Sequence, residues 1–63
     1  MIVRASERFI GYFLWELIPN TYEMNVCDYC GSKRKTDYYQ SLNQQVFCDI
    51  CRTCRRKMEV IRP

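Results

Sequence analysis

The chain has 63 residues, 48% of them hydrophobic and 27% charged, with a formal net charge of +3. That length makes one small domain, and so small a domain buries too little apolar surface to be comfortably stable without a staple such as a disulfide, a metal or a partner. The charge excludes a strongly basic protein, and the absence of histidine removes the usual general base near neutral pH and the usual nitrogen ligand for a metal.

The chain opens "MIVRASERFIGYFLWELIPN". Its apolar run, Phe9 to Ile18, is interrupted by Glu16, and no small-residue cleavage site follows, so it does not read as a secretory signal. It is also shorter than the ~20 apolar residues that cross a bilayer. The protein is therefore expected in an intracellular, reducing compartment, cytoplasm or nucleus, away from membranes. Ser6 can cap a helix running to about Ile18, stopped by Pro19 and Asn20. At helical spacing Phe9, Ile10, Phe13, Leu14 and Leu17 share one face, read as core. Arg8, Gly11, Tyr12, Trp15 and Glu16 share the other. Tyr12 and Trp15 on that polar side are read as a docking surface for a protein partner or a second copy, because aromatics concentrate at interfaces. A strand is an alternative for the aromatic stretch, but its length favours a helix.

Residues 19–26 read as a connection, which divides the chain into an amino part, 1–26, and a cysteine-bearing part, 27–63. Gly31, after Cys27-Asp28-Tyr29-Cys30, permits the left-handed backbone that turns amides toward a metal-bound sulfur. A basic loop, Ser32 to Lys35, leads to two short extended segments, Asp37 to Leu42 and Gln45 to Phe47, with Asn43 and Gln44 as the turn of a hairpin. The last segment reads as a helix capped by Asp49. Ile50, Cys54, Met58 and Ile61 form one stripe, and Arg52, Arg55, Arg56, Glu59 and Arg62 the other.

All five cysteines lie in the second part. A disulfide scaffold needs an oxidising compartment and normally an even count. The spacing Cys-x2-Cys-x17-Cys-x2-Cys through Cys27, Cys30, Cys48 and Cys51 instead suits one tetrahedral four-sulfur site, because each loop offers two thiolates from a single turn. Soft thiolates favour zinc over harder-ligand metals. A closed four-ligand site is structural and leaves no position for water, so no enzyme activity and no small-molecule substrate are expected. Four thiolates with Zn²⁺ carry −2, which takes the formal +3 to +1. Cys54 is read as a buried small hydrophobe on the inward stripe. The alternative pairs Cys51 with Cys54 across a 20-residue gap; "VFC" ending a strand at Cys48 favours the first set.

These residues resemble the treble-clef four-cysteine fingers. "CDYCG", an aromatic at Tyr38 and "VFCDICRTCRRKM" running into a basic helix are similar to the GATA-type DNA-binding finger. The same spacing with a helix after the last ligand also resembles the DksA/TraR-type finger of regulators that act on RNA polymerase. The resemblance covers residues 27 to about 58. It implies a small zinc-stabilised α+β domain: a knuckle, a β-hairpin and a carboxy-terminal helix, preceded here by the amphipathic helix.

Eight Lys or Arg face four acids over residues 27–63. Lys33, Arg34 and Lys35, with Arg52, Arg55, Arg56 and Lys57, could form one basic surface that gains affinity by counterion release from phosphates. The helix could enter a major groove, and Tyr38 could stack on bases. The bland reading is a solvated face. The expectation is a zinc-binding accessory or regulatory factor in transcription or other nucleic-acid transactions, touching nucleic acid through the finger and protein through the amino helix. The rival is a pure protein-interaction factor, an inhibitor or subunit of a larger enzyme such as RNA polymerase.

Overall fold

The computed structural model describes residues 2–61; Arg62, expected on the polar stripe of the last helix, lies outside them. Five strands are present: β1 (Val3–Arg4), β2 (Leu14–Val26), β3 (Lys33–Ser41), β4 (Val46–Cys51) and β5 (Glu59–Val60). Two short 3₁₀ turns, Glu7–Tyr12 and Cys54–Lys57, supply the helical backbone. The strands form one mixed sheet in the order β1-β4-β3-β2-β5. The three central strands pair antiparallel, and the two-residue outer strands pair parallel.

This overturns the α+β treble-clef expectation. Strand accounts for 53% of the structure and helix for 17%. Where an amphipathic helix was expected from Ser6 to Ile18, the backbone makes a 3₁₀ turn and then enters β2 at Leu14. Ser6 stands at the start of that turn, but its side chain makes no capping bond. Isolated helices are marginal, because nucleation fixes several dihedrals for one hydrogen bond. Residues 14–18 instead find a ready partner in β3, with Trp15 opposite Ser41 and Leu17 opposite Tyr39. The expected carboxy-terminal helix is replaced likewise. β4 runs through Asp49 and Ile50 to Cys51, and a single 3₁₀ turn leads to the extended Met58.

The hairpin between β3 and β4 stands where the sequence put it, with longer strands. Its turn lacks glycine, yet Gln44 takes φ 58°. Ser41 closes the turn: its hydroxyl donates to Asn43 Oδ1 and accepts from the N–H groups of Gln45 (3.2 Å) and Val46 (3.3 Å). Local side-chain bonds of this kind substitute for the backbone partners a tight turn leaves open.

The main core lies on one face of the sheet, and Thr36 and Cys51 are buried on the other. Trp15, Tyr39, Cys48 and Ile50 are fully buried, joined by Ile10 from the first 3₁₀ turn and by Met58. Trp15 is thus core, and it offers no docking surface. Its Nε1–H donates to the carbonyl of Ile10 at 2.8 Å, and Phe13 packs edge-on against its ring at 5.7 Å. A helix would have put Trp15 opposite the Phe13 and Leu17 stripe, whereas the strand puts Trp15 and Leu17 on one face; Trp15 is fully buried there, while Phe9, Leu14 and Leu17, expected in the core, are part-exposed. Tyr12 is 78% exposed.

β2 is not continuous with β3. Ile18 pairs with Tyr38 and the next pair is Glu23 with Thr36, so residues 19–22 stand opposite Asp37 alone. Asn20 takes φ 64° at this bulge. Thr21 bridges it: its Oγ1 accepts from the Tyr38 N–H at 2.9 Å and donates to the Ile18 carbonyl at 2.8 Å. A bulge increases local twist and bends its strand, and the part of β2 beyond it carries the chain to the first cysteine. Thr21→Val should lower stability by about 1–3 kcal/mol, because it strands a part-buried N–H and carbonyl; denaturant titration of the metal-loaded protein measures this.

Candidate metal centre

β2 ends at Val26, and the next residue is Cys27. The loop to β3 holds Cys27 and Cys30, tied by the N–H of Cys27 to the Ser32 carbonyl (3.0 Å) and of Gly31 to the Cys27 carbonyl (2.9 Å). Gly31 takes φ +77° there, a conformation that L side chains resist. Asp28 secures the loop to β4. Its N–H bonds the Asp49 carbonyl at 2.7 Å, and its carboxylate accepts the Asp49 N–H at 2.8 Å. Arg4, from β1, then reaches both carboxylates, at 2.7 Å to Asp28 and 3.2 Å to Asp49. The Arg4 head is half-exposed, so much of its Coulomb attraction is screened; the backbone bonds to Asp28 are what fix the loop.

The second pair comes from the end of β4. Cys51 is its last residue, Arg52 and Thr53 make the turn, and Cys54 opens the 3₁₀ turn. The sulfurs of Cys27, Cys30, Cys51 and Cys54 all lie within 4.8 Å of one another. A tetrahedron with metal–sulfur bonds of about 2.3 Å has sulfurs roughly 3.8 Å apart, so a slight contraction completes the geometry. The Cys51 N–H points at Cys27 Sγ at 3.4 Å, tying the two cysteine loops together.

The set therefore differs from the one read by spacing: Cys54 takes the place given to Cys48. The reason is strand geometry. Cys48 and Cys51 are three residues apart on one strand, and alternate positions face opposite sides. Cys48 stands opposite Tyr39 on the core face, whereas Cys51 stands opposite Thr36. Had residue 51 opened a helix, Cys48 and Cys51 could have shared one turn. The spacing itself could not choose, because Cys51 belongs to two overlapping Cys-x2-Cys pairs.

The thiols are unequal before a cation arrives. The Ser32 backbone N–H draws Cys30 down to about 6, with help from its neighbouring sulfurs. Burial pushes Cys54 up to about 12. Burial also holds Cys48 well above the usual thiol range, reinforced by the charges of Asp28 and Asp49. Four like charges this close cannot ionise together unless an opposite charge sits among them. Four sulfurs, no oxygen ligand and a closed tetrahedron are compatible with zinc.

The basic residues gather at the same end. Lys33, Arg34 and Lys35 begin β3 just beyond the first loop, all exposed. Arg55, Arg56 and Lys57 follow Cys54. Arg52 is different: its Nε reaches Asp37 Oδ2 at 3.3 Å, and its guanidinium lies 3.8 Å over the ring of Tyr22. It therefore clamps the bulge of β2 to the second cysteine turn. Tyr38 is also held internally, with its ring 5.5 Å from that of Phe47 and its hydroxyl accepting from Gln40. Asp28, Asp37 and Asp49 are all committed to Arg4 or Arg52. Among the described residues, no ion pair involves Lys33, Arg34, Lys35, Arg55, Arg56 or Lys57. Lys35 and Lys57 lie near the rings of Tyr22 and Tyr29, at 5.7 and 5.1 Å. No helix among the described residues is long and apolar enough to cross a membrane.

No protein-family model matches the chain, and neither the curated proteins nor the solved structures contain a match. The GATA-type and DksA/TraR-type resemblances thus find no support as a family assignment, and among the described residues no helix of the kind both place after the last ligand is present. The four-sulfur cluster gives the chain a candidate metal site on a β-sheet.

Two measurements check the ligand set. Cys54→Ala should weaken metal binding by at least ~100-fold, one ligand's share of a structural zinc's ~10–16 kcal/mol, whereas Cys48→Ala should keep one equivalent at full affinity. Competition against a chromophoric chelator reads both, and the reverse ranking would restore Cys48 as a ligand. Metal affinity should also climb with pH, because the raised Cys54 thiol must shed its proton before binding. Chelation should unfold the sheet, since the metal's contribution is as large as a small domain's whole stability of ~5–15 kcal/mol; circular dichroism before and after verified metal loss decides this.

Proposed function

We propose that the protein is a zinc-stabilised, non-enzymatic binding module that engages nucleic acid through the cationic end around the metal site. It would act as an accessory or regulatory factor in transcription or a related transaction. One observation carries this reading: six cations without ion pairs sit on elements that the metal site itself positions. The three aspartates of this end, Asp28, Asp37 and Asp49, are bound to Arg4 or Arg52. A protein gains by leaving cations free in this way when an anionic partner takes them up and releases counterions. The zinc–thiolate centre carries −2 in all, but it lies largely beneath the surface. Arg52 and Tyr38 drop out of the contact set because both are engaged internally, and no helix is offered to a major groove. The reading therefore favours backbone contact over base reading.

The reading in which the chain touches only protein keeps one favourable observation, an apolar groove lined in part by Leu17, Leu42 and Val60, with Arg55 and Arg56 shared between it and the cationic end. Tyr12 remains exposed for either reading; Trp15 does not.

Salt dependence tests the proposal. If about four phosphates are contacted, affinity for a short duplex or single strand should fall roughly 100-fold between ~50 and ~200 mM salt. Replacing Lys33, Arg34 and Lys35 together by Gln should flatten that slope by about 2–3 and weaken all sequences alike. Absence of binding at ~50 mM salt, with the metal loaded, would leave the protein-only reading in its place.

A further inference from the structure

A groove of about 1020 Å³ runs along the outer edge of β2 where β5 stops. Its walls are aliphatic: Leu17 and Pro19 from β2, Leu42 from the hairpin turn, and Met58, Val60 and Ile61 from the last segment. Tyr39 lines it from β3, and Arg55 and Arg56 stand over it with Glu16 as the single acid of the lining. Two features are left incomplete. The Tyr39 hydroxyl is fully buried without a hydrogen-bond partner at bonding distance, and Arg55 lies near it. The edge of β2 is also open. β5 pairs with β2 only at Leu14 and Trp15, and the Ile61 N–H closes on the Trp15 carbonyl at 2.8 Å. Main-chain groups alternate along a strand edge, so Leu17, two residues on, directs its N–H and carbonyl to the same side. Among the described residues no strand lies beside them.

We propose that this groove is a docking site for an extended segment of a partner protein that carries carboxylate side chains between aliphatic ones. The unpaired edge selects a peptide over a small amphiphile, because a peptide can add to β2 through Leu17 while its side chains alternate into the groove. The two arginines select a carboxylate, which binds guanidinium strongly. The aliphatic walls select its apolar neighbours. Pro19 donates no hydrogen bond, so pairing ends there and the added strand is short. This site is separate from the Lys33 to Lys35 cations.

A titration of the metal-loaded full chain with a blocked Val-Glu-Ile-Glu-Val peptide, followed by amide NMR shifts, tests it. Saturable shifts centred on Leu17, Leu42 and Val60 are expected, with the Val-Lys-Ile-Lys-Val counterpart at least ~10-fold weaker. Arg55→Gln should lower peptide affinity by ~10-fold or more. The Lys33, Arg34 and Lys35 triple Gln variant should bind peptide as the parent does, which separates this site from the nucleic-acid reading. Equal binding of the lysine peptide, no shifts along β2, or unchanged affinity in Arg55→Gln would each overturn the proposal.

Discussion

Four sulfurs must meet at one point, and the rest of the structure follows from that constraint. Two of them leave the end of β2 and two leave the end of β4, strands separated by β3 in the sheet. To bring those ends together the sheet has to curl, and the bulge at residues 19–22 lets β2 bend where it must. Thr21 repairs the ladder at that bend, and Arg52 ties the bend to the second cysteine turn through Asp37 and Tyr22. On the far side, Asp28 and Arg4 lash the first cysteine loop to β4 and β1. A chain of this length has few other long-range constraints, so the ligands decide the architecture more than the apolar pattern does.

That ranking of causes explains what could be read in advance. The presence of a four-thiolate site, the knuckle at Cys27 to Gly31 and the hairpin turn at Asn43 and Gln44 are local features, and the spacing of a few residues carries them. Of the inward set Ile50, Cys54, Met58 and Ile61, the first three are buried and Ile61 is exposed. What could not be read was the backbone joining them. A helix and a strand can bury the same sparse residues in so short a segment, and the apolar period of Phe9 to Leu17 fits a helix better. The decision rests on β3, to which Trp15 and Leu17 pair from more than twenty positions away in sequence. Tertiary pairing overrode local period there, and the error carried through to the ligands: placing Cys51 at a helix start made Cys48 look like its partner.

The distribution of charge follows the same organisation. Acids and cations both crowd the metal end, but the acids face inward as struts and the cations face out. Neutralisation is spent on geometry, at the loop and at the bulge, and what remains outside is net positive. A modest overall charge thus conceals a cluster of exposed cations at the metal end, of which Arg55 and Arg56 also border the aliphatic groove.

Cys51 belongs to two overlapping Cys-x2-Cys pairs, and this has a kinetic side. In the unfolded chain a metal ion meets Cys48-x2-Cys51 and Cys51-x2-Cys54 as near equals, and both pairs can join Cys27 and Cys30. Only the pleat of β4, once formed, turns Cys48 away behind the sheet and leaves Cys54 in its place. An ion that arrives before the hairpin has zipped can therefore be captured by the wrong four thiolates, with β4 unable to form until one sulfur is exchanged for another. Folding and metallation are in competition over a single residue, and the order in which they occur decides how directly the native sheet is reached.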